Sequence, residues 1–220
     1  MVPTTTVVYY TSNREKPEFE SSILDTLLEN IGDLTLITIS QKPMPVGNNI
    51  CVGDVGRSGY NAWRQLYLGA GLATTQFICT AEADYIYPKE YFRFVPPSED
   101  AFYLANPVYL LCTYDPARTR YIPMPVHWRE GASITGRKYL MKALEDILPG
   151  DEIWRSRGES RGMRQDLFSG RKRELIDLPS PVVTFKTQEN MHSHVMRYRN
   201  TTSRVRGWGW ASDLIGKYCG

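Results

Sequence analysis

Short β-prone runs alternate with amphipathic helical segments along the first 84 residues of the chain. The β-prone runs are Val7–Tyr10, residues 34–40 (LTLITIS) and residues 74–80 (TTQFICT). Apolar residues recur at helical spacing in residues 17–32, which begin with proline and end with glycine, and a second helix is expected from about Ser58 to Ala73. This alternation predicts a parallel sheet with right-handed crossovers, in which ligands bind at the carboxyl ends of the strands.

An acidic pair follows the third of these strands. The sequence TAEAD places Glu82 and Asp84 two positions apart, so both carboxylates would project to the same side of an extended backbone. Like charges that close repel each other, whereas a hard divalent cation such as Mg²⁺ or Mn²⁺ would bind both through oxygen. The pair therefore predicts a metal site or an acid–base pair, and a solvated turn is the alternative.

The composition is typical of a soluble globular protein with one domain. The chain has 220 residues, of which 42% are hydrophobic and 23% are charged, so it can form one substantial core. We see no apolar run of the roughly 20 residues that a membrane span needs and no signal-peptide pattern. The four cysteines lie far apart without a C-x-x-C pair, which favours reduced thiols in a cytoplasmic protein.

Basic residues are concentrated in the C-terminal part of the chain. Residues 1–150 carry 13 basic and 16 acidic side chains, whereas residues 151–220 carry 13 and 8. Most of the C-terminal ones are arginines, crowded into residues 155–173 and 197–206. Arginine at this density suits a nucleic acid or a phosphate-bearing ligand, and a solvated basic face is the alternative.

The pattern of elements changes in the second half. Two strand-like runs, residues 102–115 and 119–128, flank the turn sequence DPAR and predict an antiparallel hairpin. Residues 131–150 predict a strand end followed by a helix, and residues 155–175 predict a flexible loop rich in glycine and arginine. A last strand is expected at residues 181–187.

Three of these features together resemble glycosyltransferases of the GT-A fold, family 2 type. They are the strand that runs into YYTSNR, the helix that opens near Gly59 and carries Arg64, and the acidic pair after the next core strand. In that family the helix commonly reads G-x-x-x-A-R-N-x-G and the acidic motif reads D-x-D. Here Gln65 stands where asparagine is usual, and Glu82 replaces the first aspartate. The resemblance covers roughly residues 5–155.

The resemblance implies a single α/β domain over residues 1–220. Its central sheet would be Rossmann-like and mostly parallel, flanked by helices, with a small antiparallel hairpin and a basic C-terminal segment. Residues 1–100 would bind the nucleotide sugar and residues 101–220 the acceptor. The implied activity is transfer of a sugar from a nucleotide-diphosphate sugar, such as a UDP-sugar, to an acceptor hydroxyl.

The resemblance also implies which residues form the site. Glu82 and Asp84 would bind Mn²⁺ or Mg²⁺ together with a late histidine, for which His192 and His194 are the candidates. The residues that would border the donor follow the first strand, lie in a glycine-flanked loop or lie on the second helix: Thr11, Ser12, Asn13, Arg14, Asp54 and Arg64. The catalytic base of an inverting enzyme would be Asp151 or Glu152, with Glu159 as the second choice.

The acceptor and two other functions stay open. Trp154 and the tryptophans of GWGW (residues 207–210) lie among arginines, a combination that suits stacking on a sugar or a base; buried anchors are the alternative. A hydroxymethylated base in DNA is one candidate acceptor, beside a glycan or a small molecule. The rival functions are a nucleotidyltransferase on a similar fold, which would release pyrophosphate, and a non-catalytic nucleic-acid-binding module.

Overall fold

The computed structural model of the chain describes residues 4–114, 119–148, 154–155, 167–187 and 200–220. In these ranges the helices are α1 (Pro17–Ile31), α2 (Gly59–Leu72), α3 (Lys89–Arg93), α4 (Arg137–Glu145) and α5 (Ala211–Cys219). The strands are β1 (Thr5–Thr11), β2 (Thr35–Ser40), β3 (Asn48–Cys51), β4 (Phe77–Glu82), β5 (Tyr85–Ile86), β6 (Phe102–Cys112), β7 (Ile122–Pro123), β8 (Ser133–Gly136), β9 (Arg173–Lys186), β10 (Arg204–Val205) and β11 (Gly209–Trp210). No helix within the described ranges is both long and apolar enough to cross a bilayer.

Nine strands of the described ranges build one central sheet. Its order is β3-β2-β1-β4-β8-β6-β9-β5, and β7 pairs with β6 beside this path. The pairs β3/β2, β2/β1, β1/β4 and β6/β9 are parallel, whereas β8 lies antiparallel between β4 and β6. The predicted parallel sheet is thus confirmed in the first half, and β6 and β7 form the predicted antiparallel hairpin.

Helices α1 and α2 cover opposite faces of the parallel half. Successive side chains of a strand point to opposite sides, so Val7 packs in the same cluster as Leu27 of α1. Its neighbour Val8 packs with Leu66 of α2 on the other face. The carboxyl ends of β1, β2 and β4 therefore lie between two helical layers.

Local sequence signals set the bounds of both helices, as predicted. Helix α1 begins at Pro17 and stops before Gly32, whose φ of +61° favours glycine. Helix α2 follows Ser58, whose hydroxyl oxygen accepts a hydrogen bond from the Asn61 N–H at 3.0 Å. Near its other end, Gly69 lets α2 approach the sheet, because a Cβ at this position would collide with the Val8 side chain.

The C-terminal helix α5 returns to the N-terminal part of the fold and packs on α1. The hydroxyl groups of Thr26 and Tyr218 lie 2.7 Å apart in the buried interface. The Tyr218 ring also packs against Phe185, with ring centroids 5.2 Å apart. Ahead of α5, the Trp208 indole donates a hydrogen bond to the Pro181 carbonyl at 2.7 Å.

The flexible loop predicted for residues 155–175 is wrong at its C-terminal end. Leu167 and Phe168 are buried, and the Phe168 ring meets Phe102 edge-on with centroids 5.1 Å apart. Strand β9 then begins at Arg173. Only two adjacent apolar side chains hold this stretch, so the sequence shows no periodic pattern that would predict it. Residues 156–166 lie outside the described residues.

Candidate active site at the carboxyl end of the sheet

A cleft with a volume of about 160 Å³ opens at the carboxyl ends of β1, β2 and β4. Its walls come from the loop after β1, the loop before α2, the turn after β4, the segment before β8 and the end of β9. The ionisable residues among its lining are Arg14, Glu15, Arg57, Glu82, Asp84, Tyr10, Tyr85, Glu130 and Lys186. The predicted ligand edge of the sheet is therefore a cleft rich in charged groups.

Glu82 is the last residue of β4, and hydrogen bonds hold both its carboxylate and its backbone N–H. The Tyr10 hydroxyl donates a hydrogen bond to Glu82 Oε1 at 2.7 Å. The Glu82 N–H donates to the Tyr87 hydroxyl oxygen at 3.0 Å, and that hydroxyl donates to the Gly131 carbonyl at 2.6 Å. Gly131 leaves room for the carboxylate, because a Cβ there would lie 2.5 Å from Glu82 Oε1.

Asp84 lies in the turn after β4 and is half-buried. Burial raises the pKa of its carboxyl well above the ordinary value, and the negative charges of Glu82 and Glu15 raise it further. The ammonium of Lys186 acts in the opposite direction. Glu82 and Asp84 therefore share one small region, as the i, i+2 spacing predicts, and a cation there would relieve their repulsion.

Four of the predicted donor-binding residues lie at the end of β1 and in the loop that follows, and they have two different roles. Thr11, Ser12 and Arg14 line the cleft. Asn13 instead braces the loop: its amide oxygen accepts hydrogen bonds from the backbone N–H groups of Gln41 and Lys42 at 2.9 and 2.8 Å. Its φ of +49° suits asparagine, which tolerates this backbone region better than most residues.

A buried carboxylate fixes the start of this loop. Glu20, on α1, is 8% exposed and accepts hydrogen bonds from the side chains of Thr11 at 2.6 Å, Tyr9 at 3.2 Å and Asn13 at 3.3 Å. The Thr11 hydroxyl therefore serves the loop, although the residue also borders the cleft. The end of β1 is therefore held by hydrogen bonds to a buried carboxylate.

Asp54 and Arg64, which were predicted to border the donor, are not among the described residues that line the cleft. Asp54 pairs with Arg14 at 2.5 Å, with side chains 76% and 44% exposed, so this ion pair contributes little to stability and opens easily. The Arg64 guanidinium donates to the Tyr60 hydroxyl at 3.2 Å and lies 5.9 Å from the Trp154 ring centroid. The structure thus places Arg64 on the outer side of α2, against Trp154.

Gln65, which departs from the family pattern, links two strand ends. Its Nε2 donates to the carbonyls of Thr11 at 2.8 Å and Ile39 at 3.0 Å. The carboxyl ends of β1 and β2 are thereby held together at the cleft. Glutamine supplies an amide donor at this position, as the asparagine of the family pattern would.

Sequence reasoning missed Gln41, which follows β2. The residue is 5% exposed and lines the cleft. Its Nε2 donates to the Gly56 carbonyl at 2.7 Å, whereas its buried Oε1 has no hydrogen-bond partner among the described residues. A buried acceptor without a partner is costly unless a ligand or water supplies a donor, and a glutamine in a Pro- and Gly-rich loop gives no sequence signal of this.

Glu130 is a second cleft residue that the sequence did not reveal. It is 8% exposed and lies in a short 3₁₀ turn, Glu130–Ala132. The turn is fixed to β4 by the Thr80 hydroxyl, which lies 3.1 Å from the carbonyls of both Glu130 and Ser133. The negative charge of Glu130 lies close enough to contribute to the raised pKa of Tyr10, after burial and Glu82.

Among the described residues, the acidic pair has the chemistry that suits a hard divalent ion. Glu82 and Asp84 offer the oxygen ligands that Mg²⁺ and Mn²⁺ prefer. Within the described ranges, no three acidic, histidine or cysteine side chains are grouped so that they could hold a metal ion. The predicted third ligands His192 and His194, and the predicted bases Asp151, Glu152 and Glu159, lie outside the described residues.

The tryptophans predicted to stack on a ligand occupy different environments. Trp208 is anchored by its bond to Pro181, so the alternative of a buried anchor fits it. Trp210 is 50% exposed, and the Arg204 guanidinium lies 5.8 Å from its ring centroid. Trp154 packs near Arg64, and the neighbouring Arg155 lies 4.6 Å from the Tyr60 ring centroid.

Comparison with known proteins identifies the fold. No family model and no curated protein matches the sequence. Among solved structures, residues 1–349 of TarS from S. aureus, a GT-A-type glycosyltransferase, superpose with a TM-score of 0.52 at 12% identity, covering 83% of this chain and 60% of that one. The fold is of the GT-A type. The predicted fold class is thereby confirmed.

A nucleotidyltransferase is similar in fold as well. The inositol-1-phosphate CTP transferase from T. maritima matches with a TM-score of 0.51 at 9% identity, covering 98% of this chain and 96% of that one. The bifunctional IspDF from Campylobacter jejuni matches with a TM-score of 0.45 at 11% identity. The GT-A chain described here spans 50% of that IspDF chain and 60% of the TarS fragment.

Proposed function

We propose that the chain is a glycosyltransferase that moves a sugar from a nucleotide-diphosphate sugar to an acceptor hydroxyl. One observation carries the proposal: Glu82 and Asp84 lie together at the carboxyl end of the central strand β4, in a cleft that also holds Arg14, Arg57 and Lys186. Negative groups for a cation and positive groups for phosphates are what a diphosphate leaving group needs. The GT-A fold supports the same reading.

Several residues of the cleft would contribute to binding of the donor and of a divalent ion. Arg14 and Arg57 would attract the diphosphate, and Tyr10 would hold the Glu82 carboxylate in place through its 2.7 Å hydrogen bond. Glu82 and Asp84 would hold a divalent ion, which when bound supplies Lewis-acid stabilisation of the departing diphosphate. His192 and His194 remain the proposed further ligands.

The side chain of Gln41 favours a ligand that carries an N–H donor. The Gln41 Oε1, which has no hydrogen-bond partner in the described part of the chain, would accept a hydrogen bond from the N–H of a nucleobase such as uracil or guanine. The opposite end of the same amide is fixed by the Gly56 carbonyl at 2.7 Å, so the oxygen is oriented before binding. We therefore assign the neighbourhood of Gln41 to the base of the donor.

Two sets of carboxylates are candidates for the base that deprotonates the acceptor. Asp151 and Glu152 are proposed from the family resemblance, and Glu130 is proposed because it is buried and lines the cleft. Single substitutions separate the two sets. The candidate acceptors are glycans, small molecules and DNA with hydroxymethylated bases, the last of which is suggested by the arginine-rich C-terminal part of the sequence.

A nucleotidyltransferase is the second candidate, because the T. maritima CTP transferase covers nearly the whole chain. Product analysis distinguishes the two: a glycosyltransferase releases a nucleoside diphosphate, and a nucleotidyltransferase releases pyrophosphate. A non-catalytic nucleic-acid-binding module would instead show salt-dependent affinity for DNA or RNA that survives loss of Asp84.

Calorimetric titration with UDP, and with GDP as a comparison, tests the proposal with and without Mn²⁺. We expect binding that Mn²⁺ strengthens and that Asp84→Ala weakens at least tenfold, followed by release of the nucleoside diphosphate when the matching nucleotide sugar and acceptor are supplied. Failure of both nucleotides to bind the wild-type protein in Mn²⁺ would contradict a donor site in this cleft.

A further inference from the structure

Lys186 is a buried basic residue of the cleft to which the sequence pattern assigned no role. It is the last residue of β9 and is 9% exposed. The neighbouring Phe185 N–H donates a hydrogen bond to the Asp84 carbonyl at 2.7 Å, so β9 brings Lys186 directly beside the acidic turn. The backbone carbonyl of Lys186 accepts the Thr113 N–H at 3.0 Å, which fixes the end of the strand.

Lys186 differs from the other basic residues that line the cleft. Arg14 is 44% exposed along its side chain and pairs with Asp54 at the rim, and Arg57 is half-exposed. Lys186 is the buried one of these three. Its positive charge opposes the effects of burial, Glu82 and Glu15, which together raise the pKa of the Asp84 carboxyl.

Burying an ammonium group is costly unless negative groups surround it. Asp84 supplies one such group, but a divalent ion held by Glu82 and Asp84 would compete for the same carboxylate and would repel the ammonium. Phosphate oxygens placed between the two cations would remove this conflict. The arrangement is therefore more favourable with a phosphate-bearing ligand than with a metal ion alone.

We propose that the Lys186 ammonium binds the diphosphate of the donor, so that part of the affinity for the nucleotide requires no divalent ion. The inference rests on the proposed function and adds to it a phosphate-binding residue that acts beside the acidic pair. Lys186 would neutralise charge on the diphosphate both in the bound donor and in the nucleoside diphosphate that leaves.

The test measures binding of UDP, GDP and uridine in EDTA by calorimetry. The variants are Lys186→Met, which removes the charge, and Lys186→Arg, which keeps it. Lys172→Met is the matched control, because Lys172 adjoins the opposite end of β9 and is exposed, with a salt bridge to Glu174 at 2.6 Å. Thermal unfolding of each variant checks that it is folded.

We expect the wild-type protein to bind UDP or GDP in EDTA, and Lys186→Met to weaken this binding about tenfold to a hundredfold, as for loss of a charged hydrogen-bond donor. Lys186→Arg and Lys172→Met should retain it, and uridine, which has no phosphate, should bind wild type and Lys186→Met alike. In the absence of nucleotide, Lys186→Met should bind Mn²⁺ more tightly than wild type does.

Three results would overturn the inference. They are nucleotide binding that occurs only with Mn²⁺, an unchanged affinity of Lys186→Met in EDTA, and an equal loss of uridine and UDP binding, which would indicate a structural role. The first of these leaves the proposed glycosyltransferase intact. Conversely, Lys186-dependent UDP binding without any sugar transfer would support the inference and contradict the proposed function.

Discussion

Substituting Gly131 by alanine would displace the Glu82 carboxylate without removing it. The added Cβ would lie 2.5 Å from Glu82 Oε1, 2.8 Å from Glu82 Cδ and 3.1 Å from Tyr85 Cζ. Even close C···O contacts are about 3.3 Å long, so the carboxylate must retreat by about 0.8 Å. This movement also strains or breaks its 2.7 Å hydrogen bond from Tyr10.

The substitution should weaken both ligand binding and folding, by free energies of similar size. A displacement near 1 Å at a binding constellation can cost about a hundredfold, so we expect Mn²⁺-dependent UDP binding to weaken about tenfold to a hundredfold. Overpacking typically costs about 1–3 kcal/mol, and a Gly→Ala change returns about 0.4–1 kcal/mol through the unfolded chain. The net loss is about 0–2.6 kcal/mol, which corresponds to a Tm lower by up to roughly 10 °C.

Calorimetry and thermal unfolding measure both effects. Gly71→Ala is the control: it makes the same chemical change on the exposed side of α2, where the new Cβ would meet only Met141 Cε at 3.8 Å. This control should bind UDP normally and gain up to about 1 kcal/mol in stability. If Gly131→Ala binds Mn²⁺ and UDP as tightly as the wild type, the position of Glu82 described here is not the one that matters for binding.

Three further substitutions test other parts of the cleft. Asp84→Asn should raise Tm at pH 7 in EDTA by about 2–4 °C for each kcal/mol of relieved repulsion, since the pKa of Asp84 is raised by burial and by Glu82. The pKa of Asp84 is higher in the folded than in the unfolded protein, so the cost of ionising Asp84 is absent below the unfolded-state pKa and grows as pH rises. The Tm difference between Asp84→Asn and wild type should therefore shrink toward pH 4. A difference that does not change with pH would contradict this. Gln41→Leu should weaken UDP binding about tenfold through loss of the base contact while Mn²⁺ binding alone stays unchanged, and equal UDP affinity would refute its assignment. Glu130→Gln should lower kcat by about 10²–10⁴-fold if it is the base with little change in donor binding, whereas near-normal kcat would leave Asp151 and Glu152 as the candidates.

The elements that the sequence predicts well are those with local signals. Helices α1 and α2 are specified by apolar periodicity and by Pro17 and Ser58 at their starts, and β1, β2 and β4 by their β-branched content. The acidic pair was recognisable because it directly follows a buried strand. Local sequence patterns thus predict β1, β2, β4 and the two helices around them, and they place Glu82 and Asp84 at the end of β4, where the cleft lies.

The remaining site residues depend on long-range topology. Strand β8 has four residues, and its partners in β4 and β6 come from two distant stretches of the chain, so no local pattern places it in the middle of the sheet. That insertion is what brings Glu130 to the cleft, and the parallel pairing of β9 with β6 is what brings Lys186 there. Strand β3 also lacks a local signal, because it lies within a Pro- and Gly-rich segment and is ordered by its pairing with β2.

The packing of α5 on α1 bears on how this protein is expressed and modified. Ala211, Leu214 and Tyr218 are buried in one cluster with Phe19 and Ile23 of α1. A shortened version that stops before this helix would leave aromatic and aliphatic surface of α1 open to water, a hazard for aggregation. An affinity tag or fusion partner joined directly after Gly220 therefore needs a spacer that leaves this helix docked.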